Sequence, residues 1–132
     1  MSHYLDTSVL AAYYCPEPLS DEAEALLTGI DGPVISLLTE VELHSAIARK
    51  ARMQELDARS AEAIRTAFQE HVAGGYFFRL EPEAGHYHQA REWVDRLHAP
   101  LRSLDALHLA LCKSNALRMV TADSALAFAC RE

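Results

Sequence analysis

No apolar run in this chain approaches the ~20 residues needed to cross a bilayer, so no membrane-spanning segment is expected. The opening Met-Ser-His-Tyr-Leu-Asp lacks the basic start and longer apolar stretch of a secretory leader, which makes the cytoplasm the expected compartment. Cysteine is scarce. Cys15, Cys112 and Cys130 are scattered, odd in number and include no C-x-x-C pair. That argues against a disulfide framework and a cysteine zinc site, and fits free thiols in a reducing environment. Positive charge is also in deficit: 12 Lys and Arg face 19 Asp and Glu, for a formal charge of −7 and a pI near 5.4. A uniformly basic nucleic-acid-binding surface is therefore absent, whereas a local Arg/Lys groove or cations bound among the acids stay compatible with phosphate binding. No repeat, low-complexity tract or domain-scale linker interrupts the chain.

What is present reads as one folded domain over 1–132. Half of the 132 residues are apolar, and a chain of this length buries roughly two-thirds of its unfolded surface. Residues 3–5 read as a strand ending at Asp6, followed by a helix through 9–14 that stops before Pro16 and Pro18. Ser20 is placed to cap a helix over 21–28, closed by Gly29. Gly32-Pro33 opens a strand over 34–37, and a helix runs from Thr39 to about Arg52, with Leu43, Ala46, Ile47 and Ala51 on its buried face. An amphipathic helix over 57–72 ends at Gly74-Gly75, before an aromatic strand over 76–80. The spacing of Tyr87, Ala90, Val94 and Leu97 predicts a helix over 83–98 with those residues on one side. A nearly all-apolar helix spans 103–114, a fourth strand 119–121 and a last short helix 124–130. Strands separated by helices predict an α/β fold, a three-layer α/β/α sandwich around a mostly parallel sheet of four strands.

Four acids at the edges of apolar segments carry most of the information: Asp6, Glu42, Asp105 and Asp123. A carboxylate beside a core costs several kcal/mol unless paired, hydrogen-bonded or bound to a cation. Asp6 and Asp123 fall at or just beyond predicted strand ends, and Glu42 and Asp105 in the first turns of helices. All four thus point to the rim where open parallel sheets bind ligands. Each has an ordinary alternative. Asp6 and Asp123 are suited to N-capping, Thr39-x-x-Glu42 spells a capping box, and Asp105 two residues after Ser103 matches a helix dipole. Asp105 is hardest to explain so, because its helix is apolar on nearly every side. As a set, the four fit a hard divalent cation.

Tyr-Leu-Asp-Thr-Ser-Val-Leu resembles the opening strand of PIN-domain nucleases. Ile-Ser-Leu-Leu-Thr-Glu-Val-Glu-Leu resembles their second strand and the helix carrying the next acid. Leu-Arg-Ser-Leu-Asp-Ala-Leu-His-Leu-Ala and Met-Val-Thr-Ala-Asp-Ser-Ala-Leu-Ala resemble their third and fourth acidic motifs. Size and motif style are most similar to the VapC toxins of bacterial and archaeal toxin–antitoxin pairs. The resemblance implies an endoribonuclease dependent on Mg²⁺ or Mn²⁺, with Asp6, Glu42, Asp105 and Asp123 as catalytic metal-binding acids. It also implies a cognate antitoxin and a homodimer. It prefers Glu42 to Glu40, and it implies a fifth edge strand that this sequence does not reach.

Around the acids, Thr7, Ser8, Ser103 and Thr121 are placed to hydrogen-bond carboxylates. Arg102, Arg118, Arg49 and Lys50, with Arg52, are candidates for RNA phosphates, although a solvated helix face explains most of them. His86 and His88 would point about 200° apart on a helix, which disfavours a shared metal. His108, one turn after Asp105, is a candidate partner for it. Two alternatives stay open: a non-catalytic PIN-like module that binds RNA or protein, and a metal-dependent phosphatase or phospho-acceptor domain. The second is disfavoured because Thr-Ser, rather than another Asp two positions on, follows Asp6.

Overall fold

Alternation along the strands sets the layers. Leu5 and Ile35 pack with residues from the first four helices in one apolar cluster, whereas Tyr4 and Val34 pack with Leu111 and Cys112 in another. Side chains of successive strand residues point to opposite faces, so these clusters mark the two sides of one sheet. In the computed structural model, which describes residues 3–96 and 101–122, the sheet comprises β1 (His3–Leu5), β2 (Val34–Ser36), β3 (Phe78–Leu80) and β4 (Arg118–Val120). All three pairings are parallel, in the order β3-β2-β1-β4. The helices are α1 (Thr7–Tyr14), α2 (Ser20–Thr28), α3 (Leu37–Arg52), α4 (Ala58–Ala73), α5 (Ala84–Arg96) and α6 (Ser103–Ser114). This is the predicted three-layer α/β/α arrangement with a four-stranded parallel sheet.

The strand order creates a crevice. From β1 the chain moves outward through β2 and β3, then returns to place β4 on the other side of β1. Such a reversal is where open α/β sheets leave room for a ligand beyond the carboxyl ends of their strands. Asp6 lies there, with its N–H donating to Val120 O at 2.9 Å.

Local chemistry moves several predicted boundaries. α3 begins at Leu37, two residues before the predicted start, because Ser36 caps it, and Glu42 therefore lies in its second turn rather than its first. Ser36 Oγ accepts from Thr39 N–H and Thr39 Oγ1 accepts from Ser36 N–H, a reciprocal box that takes Thr39 into the helix. Ser20 does not cap α2. It closes the preceding turn, accepting from Glu17 N–H and donating to Cys15 O. α6 is capped at Arg102 without a side-chain bond, so Ser103 is its first residue rather than its cap. Tyr76 and Phe77 precede β3 instead of belonging to it. On α5 the buried side centres on Ala90, with Trp93 partly covered, while Tyr87 and Val94 are exposed. The inward stripe is therefore offset from the predicted one. Leu97, Asp123 and the helix predicted over 124–130 lie outside the described residues.

Candidate functional site

Asp6 holds the N-cap position of α1, yet its side chain makes no capping bond. Its Oδ2 accepts instead from Ser8 Oγ at 2.7 Å and Thr121 Oγ1 at 2.9 Å, and the residue is 5% exposed. Hydroxyls from both sides of the crevice thus fix a carboxylate that the helix does not use. Ser8 Oγ also accepts from Ala122 N–H at 2.9 Å, which ties the segment after β4 to α1.

Glu42 and Glu40 separate cleanly. Two residues apart on a helix, they point about 200° from one another. Glu40 reaches β3, where Arg79 grips both of its oxygens at 2.8 and 3.0 Å. Glu42 turns to the crevice, where Oε1 accepts from Thr7 Oγ1 at 2.8 Å and makes a hydrogen bond with His108 Nε2. The capping box that Thr39-x-x-Glu42 spells does not form, since Ser36 has recruited Thr39. Burial pushes the Glu42 carboxyl up, but the His108 contact, the Thr7 hydrogen bond and the Arg102 charge outweigh it. They hold Glu42 below its ordinary range.

Asp105 begins the buried run 105–112 of α6 and is 7% exposed. Arg102, one turn earlier, donates from Nε to its Oδ2 at 3.0 Å. The anticipated Asp105–His108 pair gives way to another arrangement. His108, fully buried, makes hydrogen bonds with Tyr4 and Glu42, and its Nε2 stands 3.8 Å from Asp6 Oδ1. It therefore links Asp6 and Glu42 across the head of the sheet. Position in the sequence showed His108 only as a neighbour of Asp105, because its true partners come from β1 and α3.

The other candidates are placed unequally. Thr7, Ser8 and Thr121 contact carboxylates, while Ser103 is exposed at the start of α6. Arg49 and Lys50 line a cleft of about 320 Å³ with Thr7, Ser8, Glu17 and Ala46. There Lys50 Nζ lies 3.2 Å from Glu17 and 3.9 Å from Glu55. Arg118 opens β4, at the opposite end of the sheet from the crevice. His86 is held by contacts of its own. His86 Nδ1 accepts from Glu83 N–H at 2.9 Å, which leaves Nε2 to donate to Ser114 Oγ at 2.8 Å. That tautomer is wrong for withdrawing a proton from the serine, so the pair is structural.

Asp6, Glu42 and Asp105 supply only hard oxygen donors. Among the described residues no three His, Cys, Asp or Glu side chains form a ready-made metal-binding group. The donor chemistry nonetheless fits Mg²⁺ or Mn²⁺, because Mg²⁺ retains several waters and takes few direct carboxylates.

The PIN domain family model matches residues 3–131. A search of curated proteins finds no significant match. Among solved structures, the chain is similar to VapC20 of Mycobacterium tuberculosis, a sarcin–ricin loop cleaving toxin. That match has a TM-score of 0.78 at 19% identity and covers 97% of this chain and 95% of the other. FitAcB of Neisseria gonorrhoeae aligns with a TM-score of 0.72 at 21% identity, covering 98% and 93%. A toxin–antitoxin complex from Klebsiella pneumoniae gives 0.61 at 18%, covering 93% and 88%.

Proposed function

The chain belongs to the PIN-domain family, and on that premise we propose that it is a metal-dependent endoribonuclease of the VapC toxin type. The observation that carries the reading is Asp6: a buried carboxylate at the switch-point crevice, withheld from helix capping and held by hydroxyls from two elements. Asp105, also buried at the head of its helix, and Glu42 across the crevice support it.

In this reading Asp6 and Asp105 hold Mg²⁺ or Mn²⁺ centrally, and Glu42 and Asp123 complete the set through direct or water-mediated contacts. The cation supplies an acidified water and charge stabilisation for phosphodiester hydrolysis. The protein supplies orientation. Ser8 and Thr121 fix Asp6, Thr7 fixes Glu42, and Arg102 steadies Asp105. Arg49 and Lys50 offer cationic groups along the adjoining cleft for RNA phosphates. A cognate antitoxin covering the acidic crevice, a cytoplasmic setting and a homodimer belong to the same reading. No helix among the described residues is long and apolar enough to cross a membrane.

One observation favours the runner-up, a non-catalytic PIN-like binding module: the described acids already have protein partners, with Arg102 on Asp105 and His108 on Glu42. Cleavage of total and synthetic structured RNA, with Mg²⁺ or Mn²⁺ and with EDTA, separates the two. Cutting that needs metal and vanishes in a folded Asp105→Asn variant supports the nuclease. No cutting, with no metal binding by calorimetry, leaves the binding module.

A further inference from the structure

Behind Glu42 runs a chain of buried polar groups with a single direction. Ser36 Oγ and Thr39 Oγ1 contact Tyr4 Oη at 2.9 and 3.4 Å. Tyr4 Oη lies 2.5 Å from His108 Nδ1, and His108 Nε2 bonds Glu42 Oε1. Tyr4 and His108 are both fully buried. The carboxylate accepts, so Nε2 carries the proton that faces it, and in the neutral ring Nδ1 accepts the Tyr4 hydroxyl. Tyr4 Oη in turn is an acceptor for the hydroxyls of Ser36 and Thr39, the same residues that cap α3. Every polar atom of the chain finds a use, in keeping with the absence of unpartnered buried side-chain polar atoms among the described residues.

This wiring concentrates on one oxygen. Thr7 and His108 both bond Oε1 of Glu42, and Oε2 makes no hydrogen bond within the described residues. We infer that His108 is a positioning residue: backed by Tyr4, it fixes the Glu42 carboxylate through Oε1 and leaves Oε2 as the oxygen that would serve a cation bound by Asp6 and Asp105. The inference rests on the metal-dependent reading above. Partners one shell out from metal-binding carboxylates and histidines typically change affinity 10- to 100-fold. Surface charge or packing alone does not require a directed chain from β1 and α3 through α6.

Calorimetric titration of the full chain with Mn²⁺ tests it without requiring turnover, with circular dichroism and urea unfolding to confirm folding. His108→Leu is expected to weaken Mn²⁺ binding by about tenfold. His108→Gln, whose amide restores a donor towards Glu42, is expected to recover most of that loss. In RNA cleavage, His108→Leu raises the Mn²⁺ concentration for half-maximal rate while the saturated rate is largely kept. A folded His108→Leu protein that binds Mn²⁺ like wild type, or a Gln variant no better than Leu, overturns the inference. Should His108→Leu not fold, the ¹⁵N spectrum of the wild-type imidazole decides: a protonated Nε2 coupled to Glu42 supports the inference, and an unprotonated Nε2 overturns it. Wild-type protein that neither binds Mn²⁺ nor cuts RNA overturns the nuclease reading and this inference with it. Wild type that does both beside an unaffected His108→Leu overturns this inference alone.

Discussion

Two tyrosine–histidine pairs sit on opposite faces of the sheet and make the same contact, Oη to Nδ1 at 2.5 Å. Burial pushes both phenols up, so Tyr4 and Tyr14 each remain protonated donors. The pairs differ in what lies beyond the imidazole. His108 is fully buried and continues to Glu42, with Asp6 close by. His71, half-buried in the last turn of α4, has rings as its other neighbours: Tyr76 at 5.8 Å between centroids, and Tyr14 itself at 5.6 Å. Tyr14 in turn packs edge-on against Phe68 at 5.4 Å. One hydrogen bond thus serves two purposes. Against an aromatic cluster it satisfies polar atoms within a core; against a carboxylate it passes on to a second hydrogen bond at the head of the sheet. The residue pair does not distinguish them, but the third partner does.

Removing the carboxylate that lies beside the first pair has the largest expected effect. Asp6→Asn is expected to lower metal-dependent cutting by more than about 100-fold, since removing a direct donor exceeds the range seen for outer partners. A cleavage time course at saturating Mn²⁺ measures this. Next comes the histidine itself. His71→Leu should leave Mn²⁺ affinity unchanged in the titration where His108→Leu loses about tenfold, and equal losses would erase the distinction between the pairs.

The tyrosines sharpen the contrast through stability. Tyr4→Phe strands buried partners on both sides and is expected to cost about 1–3 kcal/mol in urea unfolding. Tyr14→Phe, in a half-buried setting, should cost about 0.5–1.5 kcal/mol.

A pH series probes the same wiring. The folded-state value of Glu42 is depressed, so its stabilising contribution is present above the ordinary value of 4.5 and is lost as pH falls through the lower folded value. Urea midpoints of metal-free protein should therefore drop as the pH falls from about 4.5 through the lower folded value. The drop should be shallower in His108→Gln, whose neutral amide holds the carboxylate less strongly.

Glu40→Gln gives the smallest effect. Its Arg79 partner is well exposed, which screens the pair, and a change within about 0.5 kcal/mol is expected with Mn²⁺ affinity unchanged.

The sheet, Asp6 at a strand end and Asp105 in a first turn were legible because they depend on local patterns, whereas Glu42, expected in the first turn of its helix, sits in the second because Ser36 starts α3 early. Short segments rich in apolar residues that end just before Asp6 or start after Pro33 read as buried strands, and the run from Leu104 onward reads as a buried helix with a carboxylate at its head. The cap of α3 was harder, since Ser36 and Thr39 are both competent and the choice depends on a reciprocal bond the sequence does not display. The stripe of α5 was offset because a helix with Tyr87, Val94, Trp93 and His86 has apolar or ring-bearing residues on more than one side. Only its packing against α6 selects Ala90 and Trp93. The linkage through His108 was beyond reach for a related reason. Its partners are 104 and 66 residues away, and no local spacing encodes them.

The strand order also sets a sequence of events in time. β1 meets β2 after some thirty residues of chain (Tyr4 with Val34), but its other edge waits for β4, at His3 with Arg118. Contacts that close such long loops form late. During synthesis one edge of β1 therefore stays open, and Asp6 lacks its Thr121 hydroxyl and its Val120 carbonyl partner until residues 118–121 have been made and docked. Until then a nascent chain carries Asp6 without the partners that fix it.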